Sequence, residues 1–416
     1  MKRIVIILIA LFSIPNSAQE TITLQDCYSL ANLNYPLAKQ ARLLITQNQI
    51  DNEVLSIAKL PQLLVEAQAT YQSDVIEIPI PNTSITPLSK DQYRATLSVN
   101  QLIYNGGEIA AAIQLKSAQL DIKQKQVEVN LYQLKQKINQ FYFSILLTQE
   151  STRLLQAKQD LLQAKLSEVN SGIKNGIILP ISDKILEAEL LKIKQQVIAL
   201  ENDKSSFIET LSSIIGTSLN SETKFTTSFV DMSVIRELMR PELELFQLKK
   251  EEIMLTETLM SKKNIPKLLG FATGGYGNPG LNMLDNSFQP FYITGIKLNW
   301  NVFDWNSNKK QRESLSINKK IIDTESETFK LNTNTALNQQ QKEIETIEAL
   351  ISSDNEIIKL RREVLAAADS QFKHGIITSS AYITELTNLY EDENTMLKHT
   401  IQLQLAKANY NSIQGN

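Results

Sequence analysis

The chain repeats itself over a long period. Residues 101–107 (QLIYNGG) return as residues 300–306 (WNVFDWN), an offset of 199 between positions 101 and 300. The same offset carries Lys174-Asn175-Gly176-Ile177-Ile178 onto Lys373-His374-Gly375-Ile376-Ile377, and Ser213-Ile214-Ile215-Gly216 onto Ser412-Ile413-Gln414-Gly415. A tandem repeat of this length restricts the fold to one unit built twice, and each copy joins an alternating segment to a heptad-patterned one.

The heptad-patterned part reads as helix. Residues 107–170 contain no proline, which allows a helix of about 95 Å at 1.5 Å per residue. Twelve positions from 131 to 169 alternate steps of three and four, and nine of them are apolar, Leu131, Leu134, Ile138, Phe141, Ile145, Leu155, Leu162, Leu166 and Val169, the spacing of a coiled-coil seam. Gly172, Gly176 and Pro180 are expected to break it. A return helix follows with Leu186, Leu190, Ile193, Val197, Leu200, Phe207, Leu211 and Ile214. Aromatic residues are only 6 % of the chain, with 13 Gly and 11 Pro, which suits long helices better than a sandwich. Residues 24–61 form a further helical segment, broken at Asn34-Tyr35-Pro36, and Arg240-Pro241-Glu242 opens its counterpart.

Four segments alternate with period two: 62–72, 93–103, 267–277 and 291–302. In the first pair, Val65, Ala67, Ala69, Tyr71, Tyr93, Ala95, Leu97 and Val99 share one side. The other carries Glu66, Gln68, Arg94, Ser98 and Asn100. Pro79, Pro81 and Pro87 make 73–92 a loop, and the length difference between the copies falls there. Each segment has about the 9–11 residues that a tilted strand needs to cross an outer membrane. A soluble hairpin would bury the apolar side; a membrane barrel would show it to lipid and line its lumen with the polar side. Four strands cannot close a barrel, so closure requires several chains: two give eight strands and a filled interior, three give twelve and a lumen. Tyr71, Tyr93, Tyr276, Tyr292 and Trp300 lie towards strand ends, where interfacial aromatics belong.

Lys2-Arg3, the apolar run 4–14 and Pro15-Asn16-Ser17-Ala18 read as a secretory signal peptide, residues 1–18. Beyond it no apolar run is long enough for a spanning helix. The single cysteine, Cys27, can form no disulfide within the chain and is expected to be a buried, inert thiol. Net charge is −3 with no basic stripe, which argues against nucleic acid as a partner. His374 and His399, the two histidines, have no ligand-spaced companions, so no metal or cofactor is expected. Gly274-Gly275-Tyr276-Gly277 opens no helix, so it does not cradle phosphate; its glycines are expected to allow tight packing. No nucleophile–base pattern indicates an enzyme.

In this order, and duplicated, the junctions Leu102-Ile103-Tyr104-Asn105-Gly106-Gly107 and Val302-Phe303-Asp304-Trp305-Asn306, the turns at Gly176 and Gly375 and the return-helix ends at Ser213-Ile214-Ile215-Gly216 and residues 408–415 resemble the TolC-like outer-membrane efflux protein family. The resemblance covers essentially all of the mature chain. It implies a homotrimer with a twelve-stranded barrel in outer-membrane lipid, continuous with a periplasmic helical tunnel. It also implies partners, a periplasmic adaptor and an inner-membrane transporter, met at a tip formed here by Lys174, Asn175, Gly176, Lys373, His374 and Gly375. Well-known relatives carry an arginine two residues after the second tip glycine and aspartates six and nine after it. Here those positions are Ile377, Ala381 and Thr384, so Asp183, Glu187, Thr384 and Glu385 are the gate candidates instead.

The expected fold is therefore α+β and mainly α: repeats at 19–218 and 240–416, joined by a connector at 219–239. The alternative is a soluble periplasmic or secreted coiled-coil scaffold. The junctions differ, Gly106-Gly107 against Trp305-Asn306, so left-handed backbone is expected mainly at the first.

Overall fold

The computed structural model describes residues 21–76, 87–226, 229–232 and 237–416. The signal segment, Pro79, Pro81 and part of the connector lie outside the described residues. In chain order the elements are β1 (Thr21–Ile22), α1 (Leu24–Asn34), α2 (Ala38–Ile57), β2 (Gln62–Tyr71), β3 (Asp91–Tyr104), α3 (Glu108–Tyr132) and α4 (Leu134–Lys174). Then follow α5 (Ser182–Ile215), β4 (Lys224–Phe225), α6 (Pro241–Lys263), β5 (Lys267–Asn278), β6 (Gln289–Asn299), α7 (Ser307–Lys373) and α8 (Ser379–Gln414). The described residues form two compact units that take pieces from both halves of the sequence: those within 1–38, 129–240 and 330–416 in one, those within 39–128 and 241–329 in the other.

The first unit is a helical coil. Seven of the nine seam residues are buried as expected, with Ile145, Leu162 and Val169 fully so, while Leu131 and Phe141 are half-buried. Leu186, Ile193 and Leu211 of α5 meet them. The predicted long helix is interrupted once, by a one-residue turn at Gln133, and then runs beyond residue 170 to Lys174. Gly172 therefore lies inside α4 and does not break it; a Cβ there would stand 2.6 Å from Ile178, so the glycine lets that side chain fold back over the last turn. In the second half α7 runs 67 residues without interruption, about 100 Å at 1.5 Å per residue.

At the other end of this unit, α1 packs Leu24, Cys27 and Ala31 against α4 and α5. Thr23 caps α1: its hydroxyl accepts from the Asp26 amide at 3.2 Å while the Asp26 carboxylate accepts the Thr23 amide at 3.0 Å. Hydrogen bonds from Thr23 hold the Asp26 carboxyl below its ordinary pKa. Cys27 is buried as expected, and burial pushes its thiol up to about 12. The connector is not simply irregular, because β4 pairs in parallel with β1. The Tyr142 hydroxyl pins both, donating to the carbonyls of Ile22 (3.1 Å) and Thr226 (2.8 Å).

The second unit is a four-stranded antiparallel sheet, order β2-β3-β5-β6, with helical segments beside it. Those segments neighbour one another in the same order. Lys116 of α3 pairs with Asp51 of α2 (3.2 Å), Lys125 of α3 with Glu244 of α6 (2.7 Å), and Lys250 of α6 with Asp323 of α7 (3.0 Å). Ala111, Val127 and Leu245 are buried among these helices, but α2 buries no residue and leaves Leu43, Ile50, Val54 and Ile57 exposed at heptad spacing.

Candidate functional site

The sheet sorts its side chains by chemistry. Antiparallel partners share a face, so the observed register sets Glu66 opposite Thr96, Gln68 opposite Arg94, Leu64 opposite Ser98 and Gln62 opposite Asn100. All five residues expected on one face, Glu66, Gln68, Arg94, Ser98 and Asn100, are brought together. Ser98 and Thr273 of β5 join hydroxyls at 3.0 Å. Further across, that face changes character. Phe291 lies over Gly275, where a Cβ would stand 2.5 Å from the ring, and Phe271 lies over Gly295 at 3.1 Å. The Arg94 guanidinium is 5.5 Å from the centre of the Phe291 ring. Gly275 thus allows the tight packing expected of it, and Gly295 does the same for Phe271.

The opposite face is mostly apolar across all four strands, interrupted by Gln101 and Thr294: Leu63, Val65, Ala67 and Ala69; Ala95, Leu97 and Val99; Leu268, Ala272 and Gly274; Ile296 and Leu298. It is also exposed, Val65 to 75 % and Ile296 to 69 %. Tyr71, Tyr93, Tyr276 and Tyr292 flank it at the loop end, on the same face by register. Trp300, Phe303 and Trp305 lie exposed at the helix end.

At that end the two strand-to-helix junctions share one backbone geometry, contrary to the expected asymmetry. Gly106 and Gly107 have φ of 67° and 82°, and Trp305 and Asn306 have 54° and 61°. The turn from strand to helix demands left-handed backbone in both places. Asparagine tolerates it, whereas a tryptophan there is strained by about 1–3 kcal/mol. Asp304 holds the second turn, accepting from the Asn264 side chain (2.8 Å) and the Asn308 amide (3.0 Å). Strand β6 ends at Asn299, short of the expected Val302.

The other candidate region is the pair of helix-hairpin turns. Gly176 (φ 71°) and Gly375 (φ 70°) reverse the chain, and a Cβ on either would meet nothing, so backbone conformation alone calls for glycine. Lys174, Asn175, Gly176, Lys373, His374 and Gly375 are exposed in these turns. The Lys373 ammonium binds Asp369 at 2.8 Å, and His374 Nδ1 lies 2.8 Å from the Ser370 carbonyl. Ile177, Leu179, Ile181 and Ile376 are also exposed there, an apolar element that a search for charge and glycine passed over.

Three of the gate candidates are held within their own helix, and Glu385 is held across to α7. Lys184 binds Glu187 at 2.9 Å and Asp183 at 3.5 Å from the same helical turn, and those two carboxylates raise its pKa. The Thr384 hydroxyl donates to the Ser380 carbonyl (3.0 Å), and Glu385 lies 3.6 Å from Arg361. A pair of buried lysines on α4, which the sequence reading missed, adds charged links to the apolar seam. Lys158 reaches Glu189 of α5 (3.0 Å) and Thr387 of α8 (3.3 Å). Lys165, one heptad on and 6 % exposed at its side chain, binds Asp369 of α7 and Glu168, each at 2.6 Å, beside the Tyr382 ring. Burial opposes the Lys165 ammonium, but its hydrogen bonds to Asp369 and Glu168 outweigh it and raise its pKa. Burial likewise opposes the Asp369 carboxylate, and hydrogen bonds from Lys165 and Lys373 hold its pKa low. Neither lysine lies on the seam read from the sequence, and only the helices packed against α4 show that a buried charge there needs a partner.

The two histidines lie in different settings. His399 Nδ1 bonds Asp354 at 2.6 Å between α8 and α7, while His374 sits in a turn. Among the described residues no group of three His, Cys, Asp or Glu side chains converges, and no helix is long and apolar enough to cross a membrane.

A four-stranded sheet with one apolar exposed face, open at both edges and carried on long helices, defines the class of fold: that of the TolC-like outer-membrane channels. Three solved structures show the likeness. CusC matches with a TM-score of 0.69 at 13 % identity, over 94 % of this chain and 92 % of that one. The outer membrane protein VceC from Vibrio cholerae matches with 0.66 at 12 %, over 94 % and 96 %. The open-state MtrE outer membrane channel of Neisseria gonorrhoeae matches with 0.66 at 12 %, over 94 % and 89 %. No protein-family model matches the sequence, and no curated protein matches it. At such identities the likeness is one of fold.

Proposed function

We propose that three copies of this chain form an export duct in the outer membrane, a passive conduit with no enzymatic step. The apolar sheet face, bordered by tyrosines at one end and tryptophans at the other, supports this reading most directly. Such a face left in water is a liability, whereas against lipid it is the expected outer surface of a barrel. The face carrying Glu66, Gln68, Arg94, Ser98 and Asn100 would line the lumen. Because β2 and β6 are edge strands running in opposite directions, β6 of one copy can pair antiparallel with β2 of the next, and three copies close twelve strands. The repeats at 19–218 and 240–416, with the 219–239 connector, would each supply one-sixth of the wall. Residues 1–18 would direct export to the periplasm.

In this reading the helix tips face the periplasm, where Ile177, Leu179, Ile181 and Ile376, with Lys174, Asn175, Gly176, Lys373, His374 and Gly375, dock an adaptor. An inner-membrane transporter bound through that adaptor supplies the energy. The resting tip is closed by the Lys165–Asp369 link between α4 and α7, with Asp183, Glu187, Thr384 and Glu385 lining the constriction. Purification settles the matter: a detergent-dependent, three-fold tubular particle that conducts ions in a planar bilayer is expected. A monomer soluble without detergent would overturn the duct and favour the scaffold alternative.

A further inference from the structure

We propose the residue register by which neighbouring copies join, with Trp305 of one copy packed on Leu60 of the next. The inference rests on the trimeric reading but goes beyond it, because a trimer could close in several registers.

It starts from the pairing inside the chain. Shift the first strand of hairpin β2–β3 by 205 residues and the second by 199. Every pair of the first hairpin then recurs in β5–β6: Gln62↔Asn100 becomes Lys267↔Asn299, and Tyr71↔Asp91 becomes Tyr276↔Pro290. The two hairpins are superposable in register. The contact between hairpins, β3 with β5, must then recur between copies as β6 with β2, since the ring closes only if each hairpin meets the next in a compatible way.

Applying the same shifts, Leu97↔Gly274 becomes Ile296 opposite Ala69 of the neighbouring copy, and Val99↔Ala272 becomes Leu298 opposite its Ala67. Ser98↔Thr273 becomes Lys297 opposite Gln68 of the neighbouring copy, with that copy's Glu66 on the diagonal. Apolar residues thus meet apolar ones on the outer face, and an ammonium meets a carboxylate on the inner face. A slip of one residue would exchange the two faces.

Two oddities of the single chain follow from the same seam. Strand β3 continues to Tyr104 because Leu102 and Tyr104 pair with Leu269 and Leu268 across a bulge. Their counterparts in the second half, Asn301 and Phe303, have no strand beside them, and β6 stops at Asn299. Leu64 and Leu63 of the neighbouring copy would take that place. Likewise Gly106 lies so close to Ile265 that a Cβ would stand 2.5 Å from it. By the same shifts Trp305 faces Leu60 of the neighbouring copy; in the single chain they are 84 % and 57 % exposed. Trp305 shares the left-handed backbone of Gly106, so its side chain leaves in the direction of that contact. The junction between copies must therefore be wider than the one within a chain, with the indole filling it and Phe303 bracing the indole edge-on at 4.8 Å.

Cysteine pairs in the full-length protein, assembled in detergent and mildly oxidised, read the register directly. Directly opposed strand positions have Cβ atoms about 4.5–5.5 Å apart and diagonal ones about 7–8 Å, so only the former form a disulfide readily. Ile296→Cys with Ala69→Cys is expected to give covalent dimers and trimers, and Ile296→Cys with Ala67→Cys is not. Cross-linking of the second pair alone, in a particle that native mass spectrometry shows to be trimeric, overturns the register and leaves the duct standing. A particle that is not trimeric overturns the duct itself. In a Trp300→Phe protein, Trp305 is the sole tryptophan; Leu60→Asp should move its emission to longer wavelength in the intact trimer. Unchanged emission there removes the Trp305 contact.

Discussion

Asp369→Asn is the sharpest test of how the tip stays closed. Lys165 is almost wholly buried, and its link to Asp369 at 2.6 Å joins α4 to α7. Leaving a buried lysine with no partner would be worth about 3–5 kcal/mol. That is too much here, because Glu168 also binds Lys165 at 2.6 Å and remains. The loss is therefore that of one hydrogen bond between charged groups, partly retained by the amide, about 1–2 kcal/mol per copy. This corresponds to roughly a tenfold shift towards the open tip in each copy. Single-channel recording in a planar bilayer should show a clear rise in open probability with the trimer intact. Lys184→Ala, which removes only exposed pairs within one helical turn, should change it little. An unchanged open probability in an intact Asp369→Asn trimer would refute the assignment of this link as the closing contact.

The same link sets a pH dependence. Asp369 is held below its ordinary value of 3.8, so its contribution is complete above that value and is lost as pH falls through the lower folded one. Lys165 is held above 10.5, so its contribution is complete below that and is lost as pH rises through the higher folded value. As far as this link governs the tip, conductance should be flat through neutrality and rise only at the two extremes of a pH series. At the junction, Gly106→Ala must fit a Cβ 2.5 Å from Ile265 at a φ of 67°, and a loss of more than about 1 kcal/mol is expected by thermal melting. Asn306→Gly relieves the left-handed backbone at φ 61° and should cost little or stabilise slightly in the same assay. On the sheet, Ile296→Arg places a charge on the apolar face and should reduce membrane insertion by about 2–4 kcal/mol if that site lies near the bilayer midplane. Ser98→Arg, on the opposite face, should insert normally and alter ion selectivity. Leu162→Ala empties a fully buried seam position, and a loss of about 2–5 kcal/mol is expected in denaturant unfolding.

Much was legible in the sequence because it depends on local periodicity. Val65, Leu97 and their neighbours alternate with polar residues and so declare both strand and face, while Ile145, Leu162 and Val169 recur every third or fourth residue and so declare a seam. The tip glycines were legible too, since reversing the chain after a long helix calls for left-handed backbone whatever surrounds it. Other features depend on residues distant in sequence. Lys158 and Lys165 look like ordinary surface lysines until α7 and α8 cover them, and only the fold supplies Asp369, Glu189 and Thr387 as partners. Gly275 is expected from the sequence to allow close packing, but only the fold shows that Phe291 lies across it and Phe271 across Gly295. Trp305 shows most plainly where reading along the chain ends: residue type argued against left-handed backbone, but the strand-to-helix turn imposes it. Propensity is worth a kilocalorie or so, and the geometry of a turn joining a paired strand to a long helix outweighs it.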